Sequence, residues 1–184
     1  MNAVQQAILD RRSNRGYEPA PLTPEQVQTL VDAALASPSA VNGQPWHFSV
    51  VSDQALLGRI HEAAKAEWSK TPEQMSPRYQ DPAFQVFYHA PLVIFISADM
   101  DKNQLCDLDC GIAVQNIAIA AQGMGLGSVI LGLPRPAFTS PEADEIRAAL
   151  QFPTGYDFRI CIAVGKPTMG KPAHEMDASK VSYI

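Results

Sequence analysis

Arg11, Arg12 and Arg15 fall within a five-residue stretch that also holds Ser13. Guanidinium groups are permanently charged and planar, and they can grip two oxygens at once. With a hydroxyl beside them they suit a phosphate and the polyol chain it terminates. A second segment, Ser37-Pro38-Ser39-Ala40-Val41-Asn42-Gly43-Gln44-Pro45-Trp46, is dense in residues that break helices and fix a loop with exposed backbone donors. The Gln44 amide there can read both donors and acceptors on the edge of a heteroaromatic ring. A plainer reading makes Arg11 and Arg12 a solvated helix end, the loop an ordinary polar connection, and Trp46 a core anchor. The core reading is kept for Trp46. For the rest, Ser13 and Arg15 beside the first two arginines, and the prolines that stiffen the loop, favour one site for a phosphorylated cofactor with a flat ring.

These groups need elements to hold them. Residues 2 to 12 read as a helix with Val4, Ile8 and Leu9 on one side. A helix C-terminus disfavours an anion, so the guanidinium charges must do the holding. Thr23-Pro24-Glu25-Gln26 starts a second helix with a capping box, and Leu30, Val31, Ala34 and Leu35 follow at helical spacing until Ser37 and Pro38 end it. His47 to Ser52 reads as a strand, and another helix starts after Asp53. The stretch Lys65 to Pro91, with Tyr79, Phe84, Phe87 and Tyr88, either covers a pocket or forms a surface helix pair packed on the core. Pro91 to Ser97 is a fully buried strand. Leu105 to Gly123 is apolar nearly all round and rich in small residues, as suits a core helix or one pressed against an identical partner. A strand at Ser128 to Leu131, a break at Gly132-Leu133-Pro134, a helix at Pro141 to Leu150 and a strand at Phe158 to Val164 complete the pattern. The core-poor tail from 165 to 184 suits packing on another subunit. The rhythm is not strictly βαβ, so the fold class expected is α+β, a mixed central sheet flanked by helices in a single domain spanning 1–184.

A chain of 184 residues with 46% hydrophobic and 18% charged residues fits one well-packed domain. Its net charge of −5 argues against a nucleic-acid footprint, and no apolar run is long enough for a membrane span. The segment MNAVQQAILDRR lacks a signal-peptide core, so a cytoplasmic location is expected. Cys106, Cys110 and Cys161 read as buried and reduced rather than as metal ligands. Gly123, Gly125 and Gly127 follow a helix rather than a strand, so they form no dinucleotide fingerprint. Neither a nucleophile elbow nor metal-ligand spacing appears. The expectation is no metal and no catalytic side chain, with a bound cofactor carrying the chemistry.

RRSNR at 11–15 and SPSAVNGQPWHF at 37–48 resemble, in order and spacing as well as residue type, the flavin-binding motifs of the FMN-dependent nitroreductase family. DCGIAVQN at 109–116 and GLGS at 125–128 resemble that family's central helix and the turn after it, so the likeness runs from Met1 to about Gly165. The resemblance implies an FMN-dependent oxidoreductase that takes hydride from NADH or NADPH at flavin N5 and passes it to a nitroaromatic, a quinone or a related small acceptor by a ping-pong scheme. It implies that Arg11, Ser13 and Arg15 contact the FMN phosphate and ribityl chain, and that Arg12 approaches the ring or ribityl oxygens. It also places Pro38, Ser39, Asn42 and Gln44 on the flavin of a partner subunit, which makes a homodimer with shared sites the active species.

Leu131-Gly132 matches the place where a backbone N–H meets flavin N5, with Leu131 standing where many relatives carry an acidic residue. A simple turn glycine fits Gly132 equally well. Lys171 matches a phosphate-contacting basic position in the tail, with Lys166 as the competing lysine. Asp109, Gln115 and Asn116 read as structural hydrogen-bonding residues. The alternatives to a broad reductase are a flavin enzyme acting on one specific metabolite and a non-catalytic FMN storage or sensor protein.

Overall fold

The computed structural model describes residues 1–71, 73, 76–99, 101 and 104–184. Local capping starts its first three helices. In α1 (Ala3–Asp10) the Asn2 side chain accepts from Gln5 N and the Gln5 side chain accepts from Asn2 N. α2 (Pro24–Leu35) carries the expected reciprocal pair between Thr23 and Gln26, with Pro24 at its first position, where a missing N–H costs nothing. The Asp53 carboxylate caps α3 (Gln54–Trp68) by accepting from Ala55 N and Leu56 N. α4 (Pro77–Gln80) is a single turn, α5 (Cys106–Gly123) is the long central helix, and α6 (Ala143–Ala149) is short.

Four strands, β1 (Trp46–Val51), β2 (Leu92–Ala98), β3 (Gly127–Leu131) and β4 (Asp157–Gly165), form one sheet in the order β1-β2-β4-β3. Every neighbouring pair is antiparallel. The α+β class stands, while the expectation of a mixed sheet is corrected for the described strands. α5 carries the chain across so that β2 and β3 point the same way, and β4 then slots between them and runs against both. One parallel contact survives, an isolated bridge between Ser13 and Ser128.

β2 is buried at every position, which explains its unbroken apolar run. Alternation sends Val93 and Phe95 to one face, where they join Leu57 and Ile60 of α3, Ile146 of α6, Phe138 and Phe158. Leu92, Ile94 and Ile96 turn to the other face and meet Leu30 of α2 and Ala113, Ile117 and Ala121 of α5. The molecule is thus three layers, with helices on both faces of the sheet.

Not all apolar surface is covered within one chain. Val4, Ile8 and Leu9 of α1 are exposed, and so are Leu105, Leu108 and Ile112 at and near the start of α5, the helix on which α1 packs. The tail is held at its beginning, where Tyr17 bridges to Pro167 and Thr168 N donates to Gly16 O over 3.1 Å. Beyond that it is exposed and carries only one 3₁₀ turn, at Ala178–Lys180.

Of the two readings of Lys65 to Pro91, the helix pair does not form: α3 stops at Trp68, and Pro77 opens a helix of only one turn before Asp81 leaves it in extended conformation. The aromatics of this stretch gather instead, with ring centroids at 5.8 Å for Trp68 and Tyr79, 5.0 Å for Tyr79 and Phe84, and 5.7 Å for Phe84 and Tyr88. The part of that reading that falls on Pro72, Gln74 and Met75 lies outside the described residues.

On the face of the sheet opposite α5, Phe158 is fully buried and stacks on Phe138 at 4.6 Å and 4°. Phe158→Ala should lower the unfolding free energy by about 3 to 5 kcal/mol. Urea titration checks this, with the midpoint expected to fall while the slope stays the same.

Candidate functional site

α1 ends at Asp10, and Arg11 leaves it with φ −57° and ψ 130°, so the arginine-rich segment continues as extended chain. Its backbone is then fixed from three sides. Ser13 bridges to Ser128 and Asn14 N donates to Ser128 O over 2.9 Å. Tyr17 Oη donates to Asn14 O over 2.8 Å from a buried position, and the loss of hydration there pushes its pKa up. The buried Asn14 amide donates to Met169 O in the tail over 3.1 Å. The side chains of Arg11, Arg12 and Arg15 are half-buried.

Those side chains differ in what they do. Arg12 folds back and Nη1 donates to Leu9 O and Arg11 O, covering carbonyls that the helix end leaves open. Arg15 Nη1 donates to Ser13 O over 3.3 Å, its Nε is buried without a partner, and its guanidinium lies 5.9 Å from the centre of the Tyr88 ring. Among the described residues, no carboxylate pairs with Arg11, Arg12 or Arg15. In a chain of net charge −5 that is an uncompensated cationic group.

Arg12 and Lys171 line one cavity of about 430 Å³ together with Asn14, Gln122 and Asp10. The Asp10 carboxylate is taken up by the Gln6 amide at 2.7 Å. Lys166 is spent elsewhere, with Nζ 2.9 Å from Glu18 Oε1.

The loop at 37–45 is strained and tied to itself. Val41, Asn42 and Gln44 take φ values of 48°, 55° and 42°, a region that costs a β-branched residue such as Val41 most. Ser39 Oγ accepts from Gln44 N over 2.9 Å, and Gln44 Nε2 donates to Asn42 Oδ1 over 3.2 Å. The central helix anchors it: Ala40 N donates to Asp109 Oδ1 over 3.0 Å, and Asn116 Nδ2 donates to Ser37 Oγ over 2.8 Å. Asp109 and Asn116 are therefore the structural hydrogen-bonding residues the sequence suggests. Trp46 is buried, as its core reading requires.

The structure does not bring this loop to the arginines of the same chain. The loop is fastened near Asp109, whereas the Arg12 cavity opens at Gln122, about 20 Å further along α5 at the helical rise.

Leu131 is buried at the end of β3 and its carbonyl accepts from Cys161 Sγ at 3.4 Å. Gly132 is exposed, and a Cβ added there would meet nothing within 4 Å. It also lacks a positive φ. Neither close packing nor turn geometry therefore demands a glycine at 132. A cavity of about 650 Å³ opens beside it, lined by Trp68, Leu133, Arg135, Pro136 and Thr139. Trp68 and Arg135 are absent from the sequence reading, since a tryptophan at a helix end and an arginine after a turn carry no spacing that marks them.

The three cysteines are buried, and none forms a disulfide. Burial pushes the Cys110 thiol up to about 12 and Cys161 well above its usual value, so neither supplies a thiolate. Among the described residues, no three His, Cys, Asp or Glu side chains gather as a metal site, and no helix is long and apolar enough to cross a membrane.

Gly127 shows how closely the parts are fitted, because a Cβ there would sit 2.8 Å from both Asn14 Cγ and Pro167 Cβ. Gly127→Ala should cost about 1 to 3 kcal/mol of stability. Gly58→Ala, at an open position in α3, should instead gain about 0.5 to 1 kcal/mol. Paired urea titrations check the opposite signs.

With this geometry in place, comparison with known proteins is direct. The model of the Nitroreductase family matches residues 8–166. A protein of Archaeoglobus fulgidus, provisionally named NADH dehydrogenase/NAD(P)H nitroreductase, is 31% identical over 182 residues, covering 96% of this chain and 92% of the relative. A protein of the same provisional name from Methanothermobacter thermautotrophicus is 33% identical over 133 residues, covering 71% of this chain and 61% of the relative, so this chain spans less than two thirds of that protein. The crystal structure of a nitroreductase with bound FMN from Desulfitobacterium hafniense superposes with a TM-score of 0.95 at 31% identity, covering 100% of this chain and 99% of that one. The chain belongs to the nitroreductase family.

Proposed function

We propose that this protein is an FMN-dependent NAD(P)H oxidoreductase whose active form is a homodimer with two shared sites. The observation that carries the reading is the cationic segment at 11–15, whose backbone is held by Ser128 and Tyr17 and whose Asn14 side chain is held by Met169, while among the described residues no carboxylate pairs with Arg11 or Arg15. The residues fit the group: a buried, unpartnered Arg15 Nε and the open space at Gly132 suit an anionic, flat ligand. The names of the relatives and the bound FMN of the Desulfitobacterium protein support it.

When bound, FMN supplies a ring that takes hydride from NADH or NADPH and returns it to a nitroaromatic, a quinone or a similar acceptor, the two substrates using one pocket in turn. Arg11, Ser13 and Arg15 hold its phosphate and ribityl chain, Lys171 adds charge from the tail, and Arg12 steadies the helix end while approaching the ribityl oxygens. Leu131 keeps the surroundings of the ring uncharged, and Gly132 lets the backbone come close to it. Pro38, Ser39, Asn42 and Gln44 act on the site of the other subunit, which accounts for a strained loop fastened about 20 Å along α5 from the arginines of its own chain. The uncovered apolar side chains of α1 and of the start of α5, and the exposed tail, are the surface for that second copy.

Three outcomes test this. Protein refolded with FMN should be yellow, release FMN rather than FAD on heating, and bleach under anaerobic NADH or NADPH. A coloured protein that does not bleach is a store of FMN rather than an enzyme. The Arg11→Ala/Arg15→Ala variant should lose about a hundredfold to ten-thousandfold in FMN affinity while keeping its circular dichroism, each charge-assisted bond being worth about 1.5 to 3 kcal/mol. Mixing that variant with Asn42→Ala/Gln44→Ala under subunit exchange should restore part of the activity that neither has alone. Confirmed exchange with no recovery would overturn the assignment of the loop to the flavin site of the other subunit.

A further inference from the structure

One face of α3 carries Gln54, Gly58, His61 and Lys65, which recur at helical spacing, and its three polar side chains tie down the segment at 82–90. Lys65 Nζ donates to Pro82 O over 3.2 Å, His61 Nδ1 accepts from Val86 N over 3.3 Å, and Gln54 Nε2 donates to Ala90 O over 3.4 Å. His61 differs from the other two in kind. It accepts rather than donates, and it loses that capacity when Nδ1 gains a proton. The Val86 N–H would then face a cation inside the protein, where it has no water to turn to.

The held segment reaches the candidate flavin site through Tyr88. The Tyr88 ring lies 5.9 Å from the Arg15 guanidinium, and Arg78 Nη2 donates to Tyr88 Oη over 3.0 Å. Arg15 pairs with no carboxylate among the described residues, so the Ser13 carbonyl and the Tyr88 ring are what place its charge. Tyr88 and His89 take φ values of 55° and 56°, and such backbone geometry persists only where the surroundings dictate it. The bond from Val86 to His61 lies two residues before Tyr88 and is one of those restraints.

The His61 ring is only 5% exposed, yet it borders a cavity of about 250 Å³ between α3 and the segment, together with Gln54, Gln85 and His89. Polar walls and that volume suit water, which brings protons to a ring the core otherwise encloses. Burial pushes the His61 pKa below the usual histidine value. Exposed Glu62, with Oε1 3.6 Å from Nε2, opposes this, and Lys65 and His89 add to it. The unfolded chain takes up this proton at the ordinary value and the folded chain resists it. The stability that the His61 bond contributes is therefore complete above the ordinary value and is lost as pH falls below it.

Resting on the oxidoreductase reading above, we infer that His61 is a positioning residue for the flavin site, a proton-operated latch. As the neutral ring it holds the segment that sets Tyr88 against Arg15. On protonation it releases that segment, the strained turn at Tyr88 relaxes, and Arg15 grips flavin less well.

The experiment measures the Kd for FMN, by quenching of flavin fluorescence, in the parent, His61→Asn, Tyr88→Leu and the double variant. It runs from about pH 8 to about pH 5.5, wherever circular dichroism stays native. Asparagine puts an amide oxygen where Nδ1 stands, so it keeps the Val86 bond and cannot be charged. The FMN phosphate takes up its own proton at about pH 6 in every sample, so the quantity read is the ratio of the parent Kd to the His61→Asn Kd at each pH. That ratio should be level at the alkaline end and rise about threefold to tenfold at the acid end. With Tyr88→Leu in both proteins it should stay level throughout. A second measurement needs no substitution at 61. Since coupling is reciprocal, saturating FMN should lower the pH at which the His61 ring titrates, read by NMR, by about half a unit to one unit. A parent-to-variant ratio independent of pH overturns the inference, even if the parent loses stability in acid, because the histidine is then merely structural. A rise that persists with Tyr88→Leu, or a ring titration that FMN leaves unmoved, overturns it as well. Each of these leaves the oxidoreductase reading intact, whereas parent protein that takes up no FMN at the alkaline end overturns that reading itself.

Discussion

The bridge that lays Ser13 alongside Ser128 is the contact on which the candidate site depends. Through it the segment after α1 lies at the start of β3, and three groups far apart in sequence, Ser128, Tyr17 and Met169, absorb its polar backbone and the Asn14 side chain. Charged side chains on a loose segment would lose much of their binding free energy to ordering. Here the main chain is ordered before any ligand arrives. The closeness has a steric condition, met by glycine. At Gly165 a Cβ would come within 2.7 Å of Pro91 Cδ, and Gly127 is in the same position against Asn14 and Pro167.

α5 is the second organising element, and it separates as much as it joins. Its inner face fills one half of the core with small side chains, so that α2 and the sheet approach closely. Its N-terminal half fastens the strained loop through Asp109 and Asn116, while its C-terminal end borders the Arg12 cavity. One rigid helix thus holds the two halves of the motif pair apart within a chain. On the reading proposed above, a ligand contacting both would use a second copy of the chain, and the uncovered leucines and isoleucines of α1 and α5 are surface for one.

How far these features could be read from sequence depended on whether their causes are local. The start of α2 needs only Thr23, Pro24 and Gln26, and it was readable for that reason. The strand at 92–98 is buried on both faces, so its composition alone announces it. The place of β4 is different: nothing in Phe158 to Val164 says that it will enter between β2 and β3, and the antiparallel sheet follows from that entry. The left-handed Val41 runs against the preference of its own residue type and is imposed by the bonds around it. Lys166 and Lys171 look alike in sequence and are told apart by Glu18, which lies about 150 residues away. Arg78 sits in a stretch without period, and only the gathered rings reveal its setting.

The position of β4 also bears on how the chain acquires its shape. β2 and β3 are both synthesised before β4, yet neither pairs with the other. Until residues 157–165 emerge, the facing edges of both strands are left without main-chain partners, and the apolar run of β2 is bare along that side. Unpaired strand edges of that kind are the feature by which incompletely formed sheets pair with other chains. Because β4 alone pairs with both β2 and β3, the two halves of the sheet share a single seam strand, and neither inner edge is closed without it.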